Sequence, residues 1–83
     1  MSDFDRYNDF ANVTKSDTVN FVGPKPATDG IYVGTVGDVV GVKPDGSLAT
    51  FTGVPAGTVL RISVQRINST STTAGAFVAL YSI

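Results

Sequence analysis

Phe51-Thr52-Gly53-Val54-Pro55-Ala56-Gly57-Thr58-Val59-Leu60-Arg61-Ile62-Ser63-Val64-Gln65-Arg66-Ile67-Asn68 is the stretch that decides the fold class. A short apolar run enters a Pro/Gly corner at Pro55 and Gly57, and a longer one leaves it. In the second run Leu60, Ile62 and Val64 alternate with Arg61, Ser63 and Gln65. Successive side chains leave an extended backbone on opposite faces, so this period predicts one half-buried strand over residues 58–68, the longest of the chain.

The flanking segments are shorter and have the same character. Val39–Lys43 and Leu48–Thr52 bracket Pro44-Asp45-Gly46-Ser47. Proline presets the first turn position, Asp45 accepts local backbone bonds, and Gly46 takes the positive φ, so a β-hairpin is expected. Ile31-Tyr32-Val33 reads as a strand with Tyr32 on the face opposite Ile31 and Val33. Val19–Val22 reads as another, ended by Gly23-Pro24-Lys25-Pro26. Ala76–Tyr81 reads as a closing strand with Val78 and Leu80 on one face and Phe77, Ala79 and Tyr81 on the other. Two apolar faces imply cover on both sides. Asn68–Gly75 is small and polar throughout and reads as a solvent-facing loop. No helix-length periodic segment intervenes. The expectation is an all-β fold, a small antiparallel sandwich or barrel of five to six short strands.

Residues 1–16 differ in character. Phe4, Tyr7 and Phe10 recur every third position among Asp3, Asp5, Arg6, Asn8 and Asp9. A helical turn would bring the three rings to one side, but the segment is too short to hold that shape alone. It reads as an N-terminal arm ahead of a β domain at 17–83. The arm is either a disordered leader or a segment that orders against a neighbouring subunit with its rings as anchors.

Composition narrows the function by subtraction. The chain has 83 residues, seven Asp as its acids, six bases and a net charge of −1, with neither Cys nor His. A domain of this length buries only about 60–65% of its unfolded surface, and disulfides, a metal or oligomerisation are the usual supplements. Without thiol or imidazole donors neither a disulfide nor an ordinary zinc cage can be built, which points to oligomerisation. Tyr32, Phe77 and Tyr81 are the interface candidates. The basic excess of a phosphate-binding surface is missing, and no apolar run approaches the ~18–20 residues that cross a bilayer. The acidic opening Met1–Arg6 lacks the pattern of a secretory signal, so synthesis in the cytoplasm is expected.

Catalytic parts are scarce as well. General acid–base chemistry near neutrality relies most often on His, and a Ser–His pair cannot be assembled. Asp29, Asp38 and Asp45 each sit beside Gly in turns, where a structural role suffices. The glycines of Gly34-Thr35-Val36-Gly37 lead into β-branched Val39, Val40 and Val42 rather than a helix, against a nucleotide loop and in favour of a tight turn between antiparallel strands over Gly34–Asp38. Asp45 has no ligand series around it for calcium. No catalytic residue, metal or cofactor is expected.

One family resemblance stands beside this reading. Ser16-Asp17-Thr18, Ile31-Tyr32-Val33-Gly34-Thr35-Val36-Gly37-Asp38-Val39 and Thr50-Phe51-Thr52-Gly53-Val54-Pro55-Ala56-Gly57-Thr58-Val59-Leu60 resemble the spike base proteins of tailed phages and gene transfer agents. The likeness continues through Val64–Ile67, Thr72-Thr73-Ala74 and Val78-Ala79-Leu80-Tyr81. It implies a virion protein on the capsid surface, made in the host cytoplasm. It would form a cyclic homo-oligomer, bind the major capsid protein and carry a spike or fibre. The strand from Thr58 is less basic than in many such proteins, and the aromatic arm lies outside the shared pattern. A capsid cement or decoration protein at threefold sites, or a glycan- or receptor-binding tip module, would share the composition.

Overall fold

The computed structural model describes residues 7–83, which form seven β-strands and no α-helix. They are β1 (Asp9–Asn12), β2 (Gly30–Thr35), β3 (Gly37–Val42), β4 (Leu48–Val54), β5 (Thr58–Leu60), β6 (Arg66–Ile67) and β7 (Gly75–Tyr81). One antiparallel sheet has the order β1-β7-β2-β5, the other β4-β3-β6. Their inner faces meet in a single core. Ile31, Val33, Phe77, Ala79 and Tyr81 come from the first sheet, and Val39, Val54 and Ile67 from the second. The all-β sandwich expected from the alternation is what forms, with one or two strands more than expected.

The hairpin stands where its turn chemistry puts it. Val42 faces Leu48 across β3 and β4, and Lys43 N–H donates to Ser47 C=O at 2.8 Å. Asp45 Oδ1 accepts from both the Ser47 N–H and the Ser47 hydroxyl. Gly46 sits at φ 93°. In β2, Ile31 and Val33 are fully buried while Tyr32 is exposed, as the alternation demands.

The long strand over residues 58–68 does not form as one element. β5 belongs to the first sheet and β6 to the second, and residues 61–65 cross between the sheets without a ladder. The alternation survives in burial, with Arg61 and Ser63 exposed and Val64 buried. Side-chain period reports which way residues face, and a chain spanning two layers can keep it with no strand alongside. Backbone groups in the crossing are met by Thr28 instead. The fully buried Thr28 hydroxyl donates to Ile62 C=O at 3.0 Å and accepts from Val64 N–H at 3.2 Å. Thr28 N–H donates to Val64 C=O at 3.0 Å. Ile62 N–H closes on Leu60 C=O, a bond spanning only two residues that turns the chain inward.

Three further expectations are corrected. Val19–Val22 forms no strand: only Phe21 packs on the core, and Val22 is almost wholly exposed. Gly23-Pro24 leaves too little regular backbone there for a ladder. The connection Gly34–Asp38 is not a hairpin turn, since β2 and β3 lie in different sheets. The polar loop 68–75 is partly interior: Thr72 is buried with its hydroxyl accepting from Val40 N–H, and Ala74 is fully buried.

Thr28→Val preserves shape but strands the Val64 N–H in the interior, so it should cost about 2 kcal/mol. Thr28→Ser keeps the hydroxyl and should lose much less. Urea melts of the two variants would check this, and equal midpoints would refute the role given to the hydroxyl.

Candidate assembly surfaces

The motifs behind the resemblance converge on one knot of hydrogen bonds where the chain changes sheet. On β4, Thr52 and Gly53 together oppose Asp38, a bulge that shifts the register between Gly37 and Val39. Gly53 takes φ 67° there, and its N–H donates to Asp38 Oδ1 at 2.8 Å. Asp38 C=O accepts from Thr73 and Ala74 N–H, and Asp38 N–H donates to the Thr73 hydroxyl at 2.8 Å. Past Pro55, Gly57 at φ 81° donates its N–H to Val33 C=O at 2.7 Å. Tyr32–Asp38, Thr52–Thr58 and Thr72–Ala74 therefore form one corner. Their signature is architectural.

The exposed apolar surface lies elsewhere. Residues directly opposite in an antiparallel pair share a face. Phe10 faces Leu80, Tyr32 faces Val78, and Tyr32 also faces Val59. Inward residues alternate with these, so the outer face of the four-stranded sheet carries an apolar band across all four strands. Phe10 is 64% exposed, Val59 42% and Tyr32 37%, with Val78 and Leu80 half-buried between them. None of these five is charged. Tyr7 covers the end of the band: its hydroxyl end lies over Gly30, where a Cβ would come within 2.9 Å of it.

The aromatic residues singled out from sequence thus divide. Phe77 and Tyr81 are 3% and 2% exposed and belong to the protomer's own core. Tyr32 and Phe10 present surface, Tyr7 is half-buried, and Phe4 lies outside the described residues. Val59, Val78 and Leu80 complete the band without having been singled out as contacts. The register of β7 against β2 would have identified Val78 and Leu80, because Phe77 and Ala79 pair with the inward Val33 and Ile31, and the register of β5 against β2 would have identified Val59 opposite Tyr32.

Carboxylates lace the termini and loops rather than gather into a site. Asp17 accepts from the Thr70 hydroxyl at 2.6 Å and the Thr70 N–H at 2.8 Å, and these bonds hold its pKa below the ordinary carboxylate value. Burial pushes Asp29 upward, but Lys25 at 2.6 Å and the Ser82 N–H more than offset it, leaving a lowered pKa. The Ser47 contacts lower Asp45 likewise. Asn8 exchanges two bonds with Ile83, its amide donating to Ile83 C=O and accepting from Ile83 N–H. Among the described residues no three His, Cys, Asp or Glu side chains come together as a metal-binding group.

A second surface feature flanks β4. A groove of about 450 Å³ opens between the strand and the crossover, with Ala49, Phe51, Ile62 and Val64 as its apolar walls and Pro44 at one end.

No family model and no curated protein matches the chain. Among solved structures, a chain of the "Capsid of native GTA particle computed with C5 symmetry" matches with a TM-score of 0.78 and 27% identity. The match covers 90% of this chain and 83% of that one. The chain shares its fold with a component of that capsid structure. An alignment over nine-tenths of the length includes strands of both sheets, so the likeness extends well beyond the corner.

Lowered carboxylate pKa values add stability that is complete above the unfolded-state value, about 3.9 for Asp, and is lost as pH falls through the lower folded values. Stability should therefore hold down to about pH 5 and decline below it. Asp29→Asn should be less stable at neutral pH and should show a flatter acid limb. Chemical denaturation across this range would test it, and a parent and variant with parallel acid limbs would contradict it.

Proposed function

We propose that this protein is a structural component of a phage or phage-like particle, associated with the capsid and acting through assembly rather than catalysis. The observation that carries the reading is the similarity to a chain of a gene transfer agent capsid structure, over 90% of this chain and 83% of that one. The physical setting agrees with it. A short chain without cysteine exposes an uncharged apolar band on one sheet, and such a band is the kind of surface that protein contacts cover. Scattered single apolar residues would need no such explanation.

Within that role, the sequence motifs favour the base of a head spike or fibre, seated on the capsid surface of the virion and bound to the major capsid protein. Copies would form a cyclic homo-oligomer, since one head-to-tail contact repeated about an axis closes a ring. Tyr32 and Phe10 would supply aromatic contacts that anchor the ring from the outer face of the β1-β7-β2-β5 sheet. Phe77 and Tyr81 would support that contact from within, by holding β7 so that Val78 and Leu80 face outward.

The decisive experiment is a reconstruction of purified particles carrying the wild-type protein beside Val59→Lys and Phe10→Ser variants. Wild-type density is expected at capsid vertices beneath a projecting spike, with the variants folded but at occupancy lower by about tenfold, the effect of roughly 1.4 kcal/mol of lost contact. Density at local threefold positions would replace the spike base with a cement protein. Absence from particles would overturn the capsid reading altogether.

A further inference from the structure

We infer that the outer edge of β4 is an acceptor for an extended, uncharged segment of another capsid chain, which adds as a strand and seats one bulky apolar side chain in the adjoining groove. The inference rests on the capsid reading above and names the form of the partner at a second surface.

Four strands lie at sheet edges: β1, β5, β4 and β6. An edge presents unpaired N–H and C=O groups, and native sheets blunt such edges with charge, proline, bulges or brevity. Three of the four are blunted. β1 carries Asp9, β5 has three residues between Pro55 and Arg61, and β6 has two residues, one of them Arg66. β4 is the exception. It runs for seven residues, Leu-Ala-Thr-Phe-Thr-Gly-Val, without charge or proline. Its bulge falls at Thr52–Gly53, so Leu48–Phe51 remains a regular ladder on β3, with no strand among the described residues on its other side.

The groove makes this edge specific for a strand with a large apolar residue. Ala49 and Phe51 of β4 form one wall, and Ile62 and Val64 of the crossover form the other. Phe51, Ile62 and Val64 reach the core, yet the crossover provides no ladder partner, so a gap of side-chain size stays open beside the strand. Main-chain pairing supplies affinity in strand addition, and pockets for alternate side chains supply selectivity. The charge pattern sets the occupant's chemistry. Lys43 and Asp45 stand at the turn end of the groove, while its walls are apolar. Away from Lys43 and Asp45, a charged residue against those walls would lose hydration with no counter-charge, so the inserted segment is uncharged along Leu48–Phe51.

Hydrogen exchange on the isolated protein and on purified particles tests the inference. Backbone amides of Leu48–Thr52 that exchange readily in the free protein should become protected on the particle. Ala49→Glu, which places a carboxylate in the groove, should keep the parental melting temperature. Its particle occupancy should fall by about tenfold. Thr50→Lys, on the exposed face of the same edge, should reduce occupancy in the same direction. Unchanged exchange of β4 on the particle, or normal incorporation of both variants, would overturn the inference while leaving the capsid reading intact. Protection that appears in the pure protein as its concentration rises would mean that a second copy occupies the edge, and would also overturn it. A wild-type protein missing from particles would instead remove the capsid reading, and this inference with it.

Discussion

The buried hydroxyl of Thr28 holds the two sheets in their relation to one another. Residues 61–65 must pass from the edge of one sheet to the edge of the other, and along that path they lie in no ladder, although Gln65 N–H reaches Val42 C=O of β3. Thr28 supplies an acceptor for Val64 N–H and donors for Ile62 and Val64 C=O. An unpaired group in that position costs about 1–3 kcal/mol, a large share of the few kcal/mol that a chain of this size can muster. Once the crossing is satisfied, β5 and β6 can be very short. Each is anchored on one side by its ladder and on the other by a crossing that is itself bonded.

The same geometry explains what could be read from sequence and what could not. The hairpin at Pro44–Ser47 was legible because its turn residues act locally, each with a partner within a few positions. The inward faces of β2 and β7 were legible because alternation specifies them. Alternation does not specify pairing, and residues 58–68 show the difference: the faces are right and the ladder is absent. Thr28 gave no signal at all, since a lone threonine before Asp29-Gly30 looks like turn punctuation. The loop 68–75 misled for a related reason. Hydroxyl-rich composition usually marks solvated chain, but Thr72 and Thr73 spend their side chains on the backbone of β3. Of the surfaces, Tyr32 was visible as an aromatic on the face opposite Ile31 and Val33, and Phe10 as one of the regularly spaced rings of the N-terminal segment. Val59, Val78 and Leu80 became visible only with the register.

The residues that make the chain look like a spike base protein and the residues offered for contact are largely different sets. Asp38, Gly53, Gly57, Thr73 and Ala74 are joined at the corner, where bulge, positive φ and close backbone bonding leave little freedom of residue choice. An apolar band imposes weaker demands. Any residue of adequate size and no charge can serve at Phe10 or Val59, provided the partner's surface changes with it. The corner can thus keep the scaffold while the contact surfaces vary with their partner. Likeness at the corner therefore speaks for the fold first, and for the partner only through the particle in which the related chain was found.

The two proposed contacts make different physical demands and lie on different sheets. The band on the β1-β7-β2-β5 sheet is a side-chain surface, with its backbone already bonded within the sheet. Its affinity must come from area and shape, and it suits repeated contact with like copies or with a shell. The edge of β4 belongs to the other sheet and offers backbone groups, whose directionality fixes register and orientation. Occupying one surface leaves the other free. A protomer so arranged can be held by its neighbours through one sheet while a single extended segment threads along the other. That division lets a domain with so small a core gain stability from two partners at once, because anything that binds only the folded state shifts the folding equilibrium in its favour.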